Sequence, residues 1–255
     1  MKITVLGSGS SVPHRLRSSS GYLVNASSGT ILLDCSPSAV HRMAQEGVDW
    51  AELDAIWISH FHLDHCGGLA PLLFSLKHAP QTRSRTRPLT IFGPIGLERL
   101  IGSFDQANNY GLLDQRFETS IVEAELLEDF EILDGVEAVA VKTPHTPESC
   151  AIHIRDQTAT LVFTSDTGFD PALATLAKGV GLFILECSFV RNKPVEKHLE
   201  LAEAMHLIRK AQPRLAMLTH FYPEWDDVGF LIETARFESP CDVIEAVDGL
   251  TLKIS

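Results

Sequence analysis

The chain has 255 residues, of which 45% are hydrophobic and 21% are charged, and this composition excludes disorder over most of its length. The net charge of −12 argues against a protein that coats nucleic acid, because such proteins usually carry a positive surface. No segment has the apolar length expected of a signal peptide or a membrane span. The five cysteines form no C-x-x-C pair, so we expect reduced thiols in a cytoplasmic protein.

Short runs rich in Ile, Val and Leu predict strands at residues 2–6, 21–25, 30–34, 54–59, 89–92, 136–142, 150–154, 159–164, 181–186, 214–219, 242–246 and 250–254. Helical patterns fall at 37–46, 68–78, 94–104, 170–178, 197–211 and 227–237. Several strands are almost continuously apolar, which is typical of strands covered on both faces. Two sheets covered on the outside by helices accommodate this order, so we predict an α/β/β/α sandwich with residues 1–255 in one domain.

The segment 58–68 places three histidines and an aspartate within six residues, in the pattern His60-x-His62-x-Asp64-His65. It lies between a predicted strand and a glycine pair that opens a predicted helix. Imidazoles and a carboxylate are ligands that Zn²⁺ and similar metals accept. In an extended strand end, His60 and His62 project to one side and can hold one ion. The turn into the helix then directs Asp64 and His65 toward a second ion.

Three later strands are each followed by a further candidate ligand. His145 follows the strand 136–142, Asp166 follows 159–164, and His220 follows 214–219. Together these strand ends indicate one shared edge at which loops assemble a site. The carboxylate of Asp166 has two oxygens and can bridge two cations about 3.5–4 Å apart.

This series of residues resembles the metallo-β-lactamase superfamily over nearly the whole chain. The resemblance implies a four-layer αββα sandwich of two mixed sheets. It implies His60, His62 and His145 on one metal, Asp64, His65 and His220 on the other, and Asp166 between them. Asp34, at the end of a predicted strand, is similar to an early aspartate that supports the ligands in this superfamily.

Finer features resemble the ribonuclease Z and cyclic-phosphodiesterase branch of the superfamily. They are the opening segment 6–13 followed by 17–20, the Phe92-Gly93-Pro94 turn, Glu186 in the segment 186–189, His198 in the segment 198–204, and the segment 219–221. Asp166 stands where the β-lactam-hydrolysing branch has a cysteine ligand. The interval from His145 to Asp166 is too short for the long tRNA-gripping arm of bacterial ribonuclease Z, and His-Leu-Glu at position 198 replaces the usual His-Ser-Thr. These departures point away from β-lactams and from tRNA 3′-end maturation.

The resemblance therefore implies a dinuclear metal-dependent hydrolase, and we predict a phosphodiesterase or nuclease of the ribonuclease Z type. A hydroxide shared by two divalent ions attacks phosphorus in this hypothesis, and Asp64 also takes a proton from the attacking water. His198 acts as the general acid, with Glu186 fixing its tautomer. Zinc is the expected metal, with manganese or iron as alternatives.

The acidic surface favours a small or short phosphodiester substrate, RNA included, over a large structured RNA. No membrane partner is predicted, and the resemblance suggests a homodimer. Two alternatives stay open, a thioester or lactone hydrolase on the same dimetal site and a metal-holding domain that serves as a binding partner.

Three other features have two interpretations each. The arginines of the segment 79–88 form either a solvated loop or a basic patch that steers a phosphate-bearing substrate. Gly67 and Gly68 either donate backbone N–H groups to a phosphate or form a tight turn. The opening loop, with His14, Ser19 and Ser20, either lines the site or lies on the surface.

Overall fold

The computed structural model describes residues 1–254, which form two seven-stranded mixed sheets. The first sheet has the order β14-β1-β2-β3-β4-β5-β6. Its strands are β1 (Lys2–Gly7), β2 (Gly21–Asn25), β3 (Thr30–Leu33), β4 (Ala55–Trp57), β5 (Leu89–Gly93), β6 (Thr119–Glu123) and β14 (Thr251–Lys253). The pairs from β3 to β6 are parallel, and the remaining pairs are antiparallel.

The second sheet has the order β13-β12-β11-β10-β9-β8-β7. Its strands are β7 (Asp129–Leu133), β8 (Val136–Lys142), β9 (Cys150–Arg155), β10 (Thr160–Phe163), β11 (Leu182–Glu186), β12 (Leu215–Thr219) and β13 (Asp242–Glu245). Strands β10 to β13 run parallel, whereas β7 to β10 pair antiparallel.

Helices are shared between the two halves of the chain. They are α1 (Ala39–Gln45), α2 (Leu63–Cys66), α3 (Leu69–His78), α4 (Leu97–Gln106), α5 (Ala172–Leu176), α6 (Leu201–Ala211) and α7 (Phe230–Thr234), with 3₁₀ turns at Trp50–Glu52, Pro80–Thr82 and Pro223–Asp227. None of the helices within residues 1–254 combines the length and the hydropathy that crossing a bilayer requires.

The apolar strands are covered on both faces, and β3 illustrates why. Ile31 and Leu33 belong to a core cluster shared with the second sheet, whereas Leu32 belongs to a second cluster with residues of α1 and α3. Successive side chains of a strand point to opposite faces, so an uninterrupted apolar run fills both layers. The predicted four-layer αββα sandwich is confirmed.

The sequence prediction missed two strands and was wrong about the extent of two helices. The strands β6 and β7 were not predicted, because each lies at a sheet edge, is mostly half-exposed or exposed, and lacks a long apolar run. The helix predicted from residue 197 begins at Leu201, which leaves His198 in the segment before it. The helix predicted over 227–237 spans only Phe230–Thr234.

Candidate metal centre

The segment after β4 presents its four candidate ligands in two directions. His62 is the extended residue immediately before α2, with φ −66° and ψ 143°, so the chain is still strand-like as far as His62. Asp64 and His65 lie inside the single turn of α2. Because the backbone changes from extended to helical between the two pairs, they face different neighbours.

The first ligand group consists of His60, His62, His145 and Asp166, whose candidate ligand atoms all lie within 4.8 Å of one another. His62 Nδ1 is 3.1 Å from His145 Nε2. The Oδ2 atom of Asp166 is 3.6 Å from His145 Nε2 and 3.9 Å from His60 Nε2. His145 holds its orientation because its Nδ1–H donates to the carbonyl of Lys197 at 2.9 Å.

The second ligand group consists of Asp64, His65, Asp166 and His220, again within 4.8 Å of one another. The Oδ1 atom of Asp166 is 3.2 Å from the Nε2 atoms of both His65 and His220. Asp64 Oδ2 is 3.5 Å from each of the same two nitrogens. One oxygen of Asp166 therefore faces each group, so this carboxylate lies between the two.

The donor atoms fit divalent metal ions. Four of them are buried and have no hydrogen-bond partner: His60 Nε2, His65 Nε2, His220 Nε2 and Asp166 Oδ1. Buried polar atoms without partners are costly and rare in folded proteins. A tetrahedral zinc site with ligands about 2.0–2.1 Å from the ion separates those ligands by about 3.4 Å, which is close to the separations observed here. Metal ions would satisfy the orphaned atoms.

The carboxyl groups of Asp166 and Asp64 both have lowered pKa values. Burial raises the pKa of Asp166, but the imidazoles of His220 and His65 outweigh it and hold that pKa well below its usual range. Burial likewise raises the pKa of Asp64, yet His220 and His65 lower it overall. Both side chains are therefore carboxylates over the ordinary pH range, as metal coordination requires.

A buried carboxylate supports one histidine of each group. Asp34 Oδ2 accepts a hydrogen bond from His65 Nδ1 at 2.6 Å and one from the Ser59 hydroxyl at 3.0 Å. The Ser59 oxygen in turn lies 3.1 Å from His60 Nδ1 and 2.6 Å from the hydroxyl of Ser165. With Nδ1 engaged in this way, the Nε2 atoms of His60 and His65 are directed toward Asp166. This is the supporting role that the family resemblance implies for Asp34.

A second buried carboxylate, Glu186, ends β11. Its two oxygens accept hydrogen bonds from the Thr167 and Leu199 N–H groups, the Ser188 hydroxyl and His198 Nδ1, at 2.6, 3.1, 2.7 and 2.9 Å. Although the candidate ligand atoms of Glu186, His198 and His220 also lie within 4.8 Å of one another, those of Glu186 are already occupied by hydrogen bonds. We therefore assign Glu186 to orienting its neighbours rather than to metal binding.

His198 is buried, with 8% of its surface exposed, and lies beside both ligand groups. Its ring centroid is 4.8 Å from that of His145 and 5.4 Å from that of His220. Burial lowers the pKa of His198, but the charge and hydrogen bond of Glu186 outweigh burial and raise the pKa to about 9. An imidazolium with its Nδ1 held by a carboxylate can donate a proton from Nε2.

A cavity of 790 Å³ opens onto these residues. Its lining includes Asp64, Asp166, His198 and His220, together with Val12, His14, Ser19, Leu63 and Tyr222. Two aspartates hold the opening loop beside the site. Asp248 accepts hydrogen bonds from the Ser8 and Ser18 N–H groups, and Asp226 forms ion pairs with His14 and Arg17. Of the loop residues singled out in the sequence, His14 and Ser19 line the cavity, whereas Ser20 is buried.

The glycine pair does not present free donors to a phosphate. The Gly67 N–H donates to the Leu63 carbonyl and the Gly68 N–H to the Cys35 carbonyl, both at 2.8 Å. A Cβ atom on Gly68 would lie 2.0 Å from the Ser36 carbonyl oxygen. These glycines therefore permit a close backbone approach, and the tight-turn interpretation is the correct one.

The arginines of the segment 79–88 are mostly committed to the fold. The buried Arg85 guanidinium donates to the carbonyls of Ala51, Leu53 and Pro88 and lies over the Phe117 ring. Arg87 pairs with Asp54. Arg85 and Arg87 hold this segment to the rest of the fold. Because their charged groups are already engaged in this way, little of the basic patch is left to steer a substrate.

Sequence reasoning missed the hydroxyls of Ser59, Ser165 and Ser188, which lie between the carboxylates and the histidines. Their signal in the sequence is weak, because each is one or two residues from a predicted site residue but serine is common in such turns. Backbone strain marks some of the same places. Asp34, Ser165 and His220 have φ of 58°, 52° and 59°, a region that residues other than glycine enter rarely and that recurs at functional sites.

Known proteins share the fold and part of the sequence of this chain. The crystal structure of the metallo-β-lactamase fold protein YhfI from Bacillus subtilis is similar with a TM-score of 0.80 and 25% identity, covering 99% of each chain. Human short-form tRNase Z shares the fold, with a TM-score of 0.76 and 18% identity over 100% of each chain. A ribonuclease Z of Mycobacterium sp. (strain KMS) is 28% identical over 243 residues, covering 88% of this chain and 85% of that protein.

The fold and the clustered His and Asp side chains define a metallo-hydrolase of the metallo-β-lactamase superfamily, in its ribonuclease Z-like branch. Residues 1–238 match the family described as Anti-Pycsar protein Apyc1. The chain belongs to this family.

Proposed function

We propose that the chain hydrolyses small or short phosphodiesters with two divalent metal ions, zinc first among them. His60, His62, His145 and Asp166 would hold one ion, and Asp64, His65, Asp166 and His220 the other. When bound, the ions would neutralise charge on a phosphate and lower the pKa of a water molecule. Manganese or iron would suit the same nitrogen and oxygen ligands.

The observation that carries the proposal is His198. It is not needed to complete either ligand group, yet it is buried beside both and lines the same cavity. The leaving oxygen of a phosphodiester needs a proton, since an unassisted alkoxide is a poor leaving group. A histidine whose Nδ1 is held by Glu186 at 2.9 Å suits that task as a general acid.

Asp64 has a second role in the proposal. Its side chain is 10% exposed and lines the cavity, so a carboxylate oxygen can contact a water molecule entering the site. We propose that Asp64 accepts the proton of the attacking water as well as binding a metal. Glu186 is the positioning residue that keeps the His198 Nε2 free to face the substrate.

The size of the cavity and a short connection between two strands support a compact substrate. The cavity of 790 Å³ lies within the range of small-molecule pockets, about 300–1,000 Å³. A tight turn at 156–159 joins β9 to β10, and the interval between His145 and Asp166 therefore carries no long arm for gripping a large RNA. The relatives named ribonuclease Z support phosphodiester chemistry. The cytoplasmic location and the homodimer stay predictions.

The test is an activity screen on metal-loaded protein whose metal content is measured in the same sample. We expect hydrolysis of bis(p-nitrophenyl) phosphate and of at least one cyclic nucleotide or short oligonucleotide, and little action on p-nitrophenyl monophosphate. Full metal occupancy without turnover of any diester would overturn the proposal. Hydrolysis of a thioester or a lactone alone, undiminished by the substitution His198→Ala, would replace it with the alternative chemistry.

A further inference from the structure

The Ser188 hydroxyl connects a metal-ligand histidine to the proposed general acid. It lies 3.0 Å from His220 Nδ1, 3.2 Å from His198 Nδ1 and 2.7 Å from Glu186 Oε2. Ser188 is completely buried, so these three side chains are its polar neighbours in place of solvent. We infer that Ser188 is a positioning residue that sets the orientation of both imidazole rings, an inference that rests on the proposed function for the part that concerns His198.

The hydrogen-bond donors can be assigned from the chemistry of the groups. A serine hydroxyl has one hydrogen to donate and two lone pairs that accept. Glu186 as a carboxylate only accepts, so the hydroxyl donates to Oε2. The lone pairs of the serine oxygen are then directed at the two Nδ1 atoms, which donate to it.

These donors decide which nitrogen of each ring is free. With its Nδ1–H donating to Ser188, His220 presents an unprotonated Nε2, the atom that lies 3.2 Å from Asp166 Oδ1 and has no hydrogen-bond partner. His198 shares its Nδ1–H between Glu186 at 2.9 Å and Ser188 at 3.2 Å, so its Nε2 faces the cavity. A metal-bound histidine usually has its second nitrogen held in this manner.

The backbone around Ser188 keeps the hydroxyl in place. The Cys187 N–H donates to the Thr219 carbonyl at 2.8 Å, and the Tyr222 N–H donates to the Ser188 carbonyl at 3.2 Å. These bonds connect the end of β11 to both sides of His220. His220 itself has a φ of 59°, a conformation that needs such support from its surroundings. The serine is therefore positioned by the same contacts that position the ligand.

The decisive variant is Ser188→Ala, with Ser188→Thr as the version that retains the hydroxyl. We expect Ser188→Ala to bind one of the two zinc equivalents about 10–100-fold more weakly, as measured by competition with a chromophoric chelator. We also expect its turnover to fall more for a diester with an alkyl leaving group than for bis(p-nitrophenyl) phosphate, because p-nitrophenolate leaves without a proton. Ser188→Thr should restore most of both properties.

A matched control removes a buried hydroxyl elsewhere. Thr82 is buried, and its hydroxyl donates to the Leu76 carbonyl at 2.6 Å. The variant Thr82→Val should be less stable than the native protein but should leave zinc affinity and the ratio of the two turnover rates unchanged. If Ser188→Ala behaves like Thr82→Val, Ser188 is only structural and the inference is wrong.

A measurement on the native, zinc-loaded protein covers the case in which Ser188→Ala does not fold. Long-range ¹H–¹⁵N spectra of the histidine side chains should show the hydrogen of His220 on Nδ1, and a hydrogen on Nε2 would overturn the inference. The readouts separate the two proposals. Absence of diester turnover with the expected tautomer and zinc-affinity results would remove the proposed function and leave the role of Ser188 toward His220 intact.

Discussion

The two halves of the site hold their histidines with the same arrangement of side chains. In the first half, Asp34 and Ser59 hold His65 and His60, and we call this the Asp34 device. In the second half, Glu186 and Ser188 hold His198 and His220, and we call this the Glu186 device. Each device is a buried carboxylate joined to a serine hydroxyl, at 3.0 Å in the first and 2.7 Å in the second. Both histidines of the Asp34 device belong to the metal-ligand groups, whereas only one histidine of the Glu186 device does. One arrangement of side chains therefore orients both a candidate metal ligand and the histidine that the proposed function uses as a proton donor.

The largest expected effect is the loss of turnover when His198, which belongs to neither ligand group, is replaced. The variant His198→Ala should lower the turnover of a diester with an alkyl leaving group by about 10²–10⁴-fold, the usual contribution of a general acid. Metal content should stay at the native level, because His198 completes neither ligand group. Steady-state kinetics and metal analysis of one sample check both statements. His206→Ala, in the half-buried helix face of α6, is the control, and equal losses in the two variants would contradict the role of His198.

A substitution in the Asp34 device should instead lower metal affinity. Asp34→Asn keeps a residue that tolerates the φ of 58° at this position, but its amide group has one acceptor oxygen where the carboxylate has two. His65 then loses the acceptor that keeps its hydrogen on Nδ1, and metal affinity should fall about 10–100-fold. Chelator competition measures this loss.

The control for Asp34→Asn is Glu123→Gln, which changes a carboxylate that accepts from the Gly96 and Glu98 N–H groups at the start of α4. It should leave metal affinity at the native value. An Asp34→Asn protein with native metal affinity would show that the two devices do not orient ligands alike.

The Glu186 device should also be visible in the stability of metal-free protein. The folded pKa of His198 is about 9 against 6.5 for an ordinary histidine. Because the folded value is the higher one, its stabilisation is fully present below about pH 6.5 and is lost as the pH rises through about 9. The shift corresponds to about 3 kcal/mol. Urea unfolding between pH 6 and 10, compared with His198→Asn, measures it, and parallel curves for the two proteins would contradict the coupling to Glu186.

The smallest expected effect comes from a histidine with no carboxylate behind it. His153 lies in β9, its Nε2 is buried without a hydrogen-bond partner, and burial followed by the charge of Arg155 lowers its pKa. Below pH 6.5 the unfolded chain binds a proton at His153 that the folded protein does not bind, so the free energy of unfolding falls as the pH decreases below that value. His153→Val should flatten the acid side of the stability curve of metal-free protein. An unchanged acid slope would mean that His153 is not the group responsible.

The ligand segment could be predicted because its information is local. The residues from His60 to His65 are neighbours in the chain, and the change from strand to helix separates them into two pairs. The strands with long apolar runs could be predicted for the same reason, whereas β6 and β7 at the sheet edges have no such run. His198 and Glu186 were predicted from the family resemblance, because the residues next to them in the sequence do not indicate a role for either.

The sequence by itself therefore determined the alternation that buries each strand on two faces and the types of side chain at the strand ends. The tertiary structure decided which of those side chains meet. Ser59 and Ser165 are 106 residues apart, yet their hydroxyl oxygens lie 2.6 Å apart, because they end strands in different sheets that close on one rim. Periodicity along a strand specifies the face on which a residue lies, but only the packing of the two sheets specifies what it faces.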